Sequence, residues 1–240
     1  MKFDGDATYI TKSGKKYTID GEGNLPDEIE LKKLDIDGDV SFDEISCDEV
    51  KITGECRGNA LTAEKVFIDG DIKVDVIKVD KTFEADGDCF SKSLTAEKIF
   101  IDGDSKVDVI KAAGTFEING SLRSDSIESD EVIIESRSGT VGKIKCTDLK
   151  ISKGDEDFEG EIYFGNVKIK TSSKKISSRI QIKDIEAETV NLQNCEVGII
   201  KCKNAFIGSN CVIEKLIVAS EYEIYADAKV SEIIHMNFDK

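Results

Sequence analysis

Apolar and polar residues alternate with period two in short runs along most of the chain, as in "VKITG", "VFIDG", "FEADG" and "FEING". Period two sends successive side chains to opposite faces of a strand, and the Val, Ile and Phe at the apolar positions suit a pleated surface. No stripe at i, i+3, i+4 is sustained, so helix is disfavoured. Each run closes on glycine: Gly5, Gly21, Gly38, Gly54, Gly70, Gly87, Gly103 and Gly120 follow one another at steps of 16, 17, 16, 16, 17, 16 and 17. Further apolar or small residues follow at unit positions 7, 12 and 14, which are Cys56, Leu61 and Ala63 in one unit and Ile72, Ile77 and Val79 in the next. The pattern predicts three very short strands per unit separated by bends, with glycine at a corner that needs positive φ or close approach. One residue more or less at a corner accounts for the alternation of the two steps. "LTAEKVFIDGD" (61–71) and "LTAEKIFIDGD" (94–104), identical at ten of eleven positions and 33 residues apart, are therefore two units and not one ankyrin-like repeat.

Units open at Met1, Tyr17, Leu34, Val50, Val66, Phe83, Ile99, Phe116 and Val132, then less regularly at Leu149, Val167, Val190, Ala205 and Tyr222, which makes 14. Three strands per unit stacked on the next unit give an all-β fold, a three-sided parallel β-solenoid of about 14 rungs in one domain spanning 1–240. Two stretches break the rhythm. Residues 151–166 lengthen a corner, and "KTSSKKISSRIQIKDIEAET" (170–189) stretches its unit over 167–189, an irregular insertion read as a protruding loop or broken rung. Lys174, Lys175 and Arg179 make this insertion basic; solvation is the first reading, and a protein partner of unspecified identity is expected here if anywhere.

Charge narrows the function. With 33 basic and 49 acidic residues the net charge is -16, which repels phosphate backbones and anionic lipid, so no nucleic-acid partner is expected. No apolar run approaches a spanning length and no leader is visible, so no membrane insertion is expected and the chain is read as cytoplasmic. Seven cysteines without C-x-x-C, beside one histidine, give neither a disulfide framework nor a zinc site. Cys56 and Cys89 fall at a core position and read as small hydrophobes. Carboxylates flank the glycines, as in Asp69/Asp71, Asp86/Asp88 and Asp102/Asp104, and stack into a ladder. Oxygen ligation of a divalent cation is weighed against a solvated acidic edge, and the edge is preferred. These carboxylates are repeated and alike, whereas glycoside chemistry needs two in unlike environments. "AFIGSNCVIEKLIV" (205–218) looks locally like a hexapeptide acyltransferase rung, but the early units keep their longer period and His235 stands close to the end of the sequence. No catalytic residue, metal or cofactor is assigned, and the chain is not expected to be an enzyme.

The units "VKITGECRGNALTAEK", "FEINGSLRSDSIESDE" and "VGKIKCTDLKIS", with the whole of 185–234, resemble the bactofilins, bacterial polymer-forming cytoskeletal proteins. The resemblance rests on the rung pattern over nearly the whole chain. It implies a right-handed triangular β-helix that assembles end to end, without nucleotide, into non-polar filaments serving as a scaffold. The disordered tails that carry contacts in shorter members are not expected here. The two ends also stand out by composition: unpaired terminal strands are normally blunted by charge, proline or a cap. The first unit instead carries Met1, Phe3, Tyr9 and Ile10, and the last carries Tyr222, Ile224, Tyr225, Ile233, Ile234, Met236 and Phe238. These are the expected self-association surfaces, with the acidic sides holding polymers apart. The rival readings are a monomeric β-helical binding or adaptor module and, third, the hexapeptide-type acyltransferase.

Overall fold

Buried side chains come in three pairs per turn. Between Ile72 and Gly87 they are Ile72 with Val74, Ile77 with Val79, and Phe83 with Ala85. Within a pair the step is two residues, and between pairs it is three or four, so the inward phase resets three times per turn. Three resets make three faces, and the residues between point to solvent or lie half-buried. The computed structural model describes residues 4–5, 9–13, 16–21, 23–25, 28–136, 138–152, 161–164, 167–170 and 179–236, with side chains described for 21, 23–25, 32–136, 138–152 and 179–236. Among the described residues there are strands and no helix, and the parallel strands wind into a β-solenoid of about 11 turns.

The predicted unit is the observed turn. Tyr17 pairs with Leu34, Leu34 with Val50, Val50 with Val66, and the column continues through Phe83, Ile99, Phe116, Val132, Leu149, Val190 and Ala205 to Tyr222. Twelve of the fourteen expected unit openings thus stack in one line. The strands themselves are longer than expected. Val40–Thr53, Cys56–Asp69, Ile72–Asp86, Cys89–Asp102 and Ser105–Asn119 each wrap all three faces in one hydrogen-bonded run. Two corners per turn bend without breaking the ladder, and the glycine corner alone interrupts it. From residue 122 onward a second corner also interrupts, leaving two strands per turn, such as Leu122–Glu128 and Glu131–Glu135.

The extra residue of the longer turns sits at one corner. Register shifts open between Ala63 and Lys65 where they face Val79 and Thr82, between Lys78 and Thr82, and between Ala112 and Thr115. Both bulged turns place a phenylalanine next, Phe83 and Phe116, where the unbulged neighbours carry Val66, Ile99 and Val132. The longer corner and the larger ring accompany one another.

Three stretches depart from the expected rungs. Tyr9–Ser13 runs antiparallel to Lys16–Asp20, and Asp4–Gly5 is antiparallel to Gly23–Asn24, so the first unit folds back instead of stacking as a parallel rung. Glu161–Phe164 and Val167–Lys170 form an antiparallel hairpin of their own, so the unit opening placed at Val167 is no rung. The stack passes across this excursion: Gly139–Lys145 pairs with Ile180–Glu186, and Asp148–Ser152 with Thr189–Leu192. Hence 180–186 and 189–192 are ordinary rung strands although the expected insertion reached 189, and 171–178 lie outside the described residues.

Candidate functional site

Three features of the rod carry chemistry: the acidic corner, the stacked cysteines and the two ends. The corner begins from backbone needs. Gly54 and Cys56 donate their N–H groups forward to the carbonyls of Asp69 and Asp71 on the next turn. The residue between them faces the other way, and the Glu55 N–H bonds not to a backbone carbonyl but to Asp39 Oδ1 at 2.8 Å. The same bond recurs from Asp88 N–H to Asp71 Oδ1 (2.9 Å), from Asp104 N–H to Asp88 Oδ1 (3.0 Å) and from Ser121 N–H to Asp104 Oδ1 (3.0 Å). The carboxylate after each of these glycines therefore caps the next turn's odd N–H, a structural duty for the ladder. Among the described residues no group of three or more His, Cys, Asp or Glu side chains converges to hold a metal ion. Asp88→Ala is expected to cost about 1 kcal/mol by orphaning the Asp104 N–H. Asp88→Asn keeps an acceptor and removes one of the stacked charges, so its urea midpoint should match or exceed the parent's. Equal loss in both variants would show that charge, not acceptance, matters at this corner.

The outward faces are charged, and some of the charges pair across neighbouring turns. Lys81 bonds Glu64 at 2.7 Å and Lys92 bonds Asp75 at 2.6 Å, each pair bridging neighbouring turns. Lys33 and Glu49 do the same. These pairs are solvent-exposed and add little stability.

Cys56 and Cys89 are fully buried, in the core position expected, and burial pushes both thiols up to about 12. Cys195 and Cys211 differ because they occupy the same column on consecutive turns, with Sγ to Sγ at 3.5 Å. Their hydrogen bond raises Cys195 and lowers Cys211 from the ordinary thiol value. The sequence held a signal for this pair, since the two stand one repeat unit apart.

Among the described residues the last turn presents a cross-section of the core. Ala205 pairs with Tyr222, Ile207 with Ile224, Ile213 with Val230 and Leu216 with Ile233, so each inward column simply stops at the last described turn. Ile233 is 37% exposed, whereas Leu216 beneath it is fully buried. Tyr222 and Tyr225 are also exposed, and the Tyr222 ring rests 5.4 Å from His235. Ile224 and Ile234 are half-buried, and Met236 is tied back by its N–H to the Val218 carbonyl at 2.9 Å. Among the described residues, Tyr222–Ile224 and Lys229–His235 have no strand partner on their outer side. At the other end, Tyr9 and Ile10 belong to the antiparallel strand, opposite Asp20 and Ile19, and that strand likewise has no outer partner among the described residues. Met1, Phe3 and Phe238 lie outside the described residues, as do Lys174 and Lys175. Arg179 is held against Asn210 on the rod, not on a projecting loop.

No helix among the described residues is long and apolar enough to cross a membrane. Comparison with protein-family models, with curated proteins and with solved structures returns no match.

Proposed function

We propose that this protein is a self-assembling structural rod, a scaffold whose subunits join end to end through their terminal β-turns without nucleotide. The observation that carries the reading is the last described turn, where strand edges without an outer partner among the described residues surround the ends of the apolar columns at Tyr222, Ile224, Val230 and Ile233. An edge of this kind is a template for further pairing. Among the described residues each end of the rod carries a strand edge without an outer partner, and a subunit that pairs through both such edges propagates into a linear polymer. The net charge of -16 resists side-by-side contact, which directs association to the ends. The likeness of the turn pattern to the bactofilins supports the same reading.

Sedimentation velocity and negative-stain electron microscopy of the full chain, without nucleotide and at low and physiological salt, test it. Filaments are expected, longer at the higher salt because the charged sides are screened over about 8 Å. Ile233→Lys combined with Tyr222→Lys should abolish them and leave the circular-dichroism melt close to the parent's. A parent that sediments as a monomer at every concentration and salt would sink the scaffold reading and favour a monomeric binding module.

A further inference from the structure

The rod contains seven cysteines, and its register brings one pair together. Cys56 and Cys89 are separated by the turn of Ile72. Cys146 and Cys202 are separated by the turn of Ala187, and Cys47 stacks on Ala63. Cys195 and Cys211 alone stand on consecutive turns, immediately before the paired residues Glu196 and Val212. Their sulfurs are 3.5 Å apart, and both side chains are buried. Stacked positions on neighbouring parallel strands have Cα atoms about 4.8 Å apart, inside the span of about 4.4–6.8 Å that a disulfide bridges. Closing the bond requires the sulfurs to approach to about 2.05 Å, a side-chain rotation that needs no change of rung spacing.

The surroundings make the two sulfurs unequal. The Cys211 thiol is placed to donate to the Leu192 carbonyl at 3.4 Å and to that of Ser209 at 3.6 Å, at the edge of a corner. Asn210 turns this corner at φ 56°, and its Oδ1 accepts two bonds from the Arg179 guanidinium, at 3.1 and 2.7 Å. Asn210 donates in turn to Asn194, which turns the corner below at φ 54°. The two sulfurs lie within hydrogen-bond distance and either can donate to the other, while the nearby Arg179 guanidinium favours a thiolate at the pair. Whichever sulfur ionises faces the other as its resolving partner.

We propose that Cys195 and Cys211 are a modification site: a peroxide converts them to a reversible disulfide that staples two consecutive turns of the solenoid. The Cys211 thiolate attacks one peroxide oxygen, the O–O bond breaks, and the departing hydroxide takes up the proton that Cys211 released, leaving as water. The sulfenic acid at Cys211 is then attacked by the Cys195 sulfur. The S–S bond forms, the S–O bond breaks, and a second water leaves with the Cys195 proton. Two thiols lose two electrons and two hydrogens, and the peroxide becomes two waters. A dithiol reverses the step by exchange. The stapled turn lies directly beneath the last described turn, since Val212 pairs with Lys229, so the bond steadies the platform on which that turn rests. The inference does not rest on the assembly reading, because it concerns the interior of one chain.

The test uses the full chain, folded, treated with hydrogen peroxide and mapped by mass spectrometry of non-reduced peptides. The expected product is lighter by about 2 Da, carries a single crosslink joining the Cys195 and Cys211 peptides, and returns to the parent mass with dithiothreitol. Its melting midpoint should rise above that of the reduced protein. Cys211→Ser and Cys195→Ala should each abolish the loss of mass, whereas Cys56→Ala should retain it. Thiols that stay intact, a crosslink between any other pair, or gains of about 32 or 48 Da at Cys195 or Cys211 would overturn the proposal, and the parent protein decides this whatever the variants do.

Discussion

Gly87→Ala is expected to destabilise the rod by about 3–5 kcal/mol, through backbone strain and overpacking together. Gly87 holds φ at +142°, where side chains other than hydrogen are strained, and an added Cβ would lie 2.4 Å from the Gly70 carbonyl oxygen and 2.6 Å from its carbon. Neither contact can be relieved by a rotamer change, because the obstacle is the backbone of the preceding turn. Gly103 repeats the geometry one turn further on, at φ +152° and 2.4 Å from the Gly87 oxygen. The corner glycines form a ladder in which each leaves room for the one above, so a methyl group at one corner opens the rung spacing at its neighbours. A rod whose turns touch only adjacent turns melts as a linear array. Gly87→Ala should therefore lower the urea midpoint and also split the transition, with the turns on either side losing their coupling. Gly114→Ala serves as the control: its Cβ would meet the Glu97 oxygen at 3.2 Å, and the change should stay within about 1 kcal/mol of the parent. A Gly87→Ala protein that unfolds at the parent's midpoint would refute the packed-corner account.

The second large effect is expected at Phe83. Its side chain is fully buried, and Phe83→Ala should cost about 3–5 kcal/mol from lost burial and the cavity left behind. Position 83 follows the bulge at 79–82, and in the unbulged turns on either side Val66 and Ile99 fill the same column. Those neighbours are held at the hydrogen-bonded rung spacing, so they cannot close over the void. Phe83→Leu refills most of the volume and should recover most of the loss. Chemical denaturation of both variants checks this; equal, small losses would mean the bulged corner collapses around whatever occupies it.

Much of this architecture was legible because the solenoid repeats its own constraints. The recurring glycine and the apolar pair before it locate the turn and its phase, and the column from Tyr17 to Tyr222 follows those openings closely. What the period hides are the places where the chain leaves the stack. Gly14-Lys15 lies between two alternating runs, as does Gly165-Asn166, and a glycine-led two-residue gap is a short-range hairpin signal that competes with the longer rhythm. At both places the flanking runs pair with each other, giving Tyr9–Ser13 against Lys16–Asp20 and Glu161–Phe164 against Val167–Lys170. Strand length was hidden for a different reason: a bend that preserves its ladder leaves no compositional mark, so Ile72–Asp86 reads as three strands and folds as one. The acidic ladder was visible as charge, but its duty depends on which way one N–H faces, and only the stacked backbone decides that. In the C-terminal half the corner passes from glycine to asparagine, at Asn194 and Asn210, since asparagine also tolerates positive φ. That change hides the rhythm where the cysteine pair lies.

The alternation of bulged and unbulged turns has a consequence for how such a molecule acquires its size. Residues 61–71 and 94–104 are nearly the same text, one unbulged and one bulged turn apart, so a segment of 33 residues can be copied here with its bulge and without disturbing the register. Gain or loss of that segment joins like to like at both seams, and it changes the rod by about 10 Å, two strand spacings. The gene thus contains a ruler graduated in double turns, and reach can evolve by counting rather than by redesign.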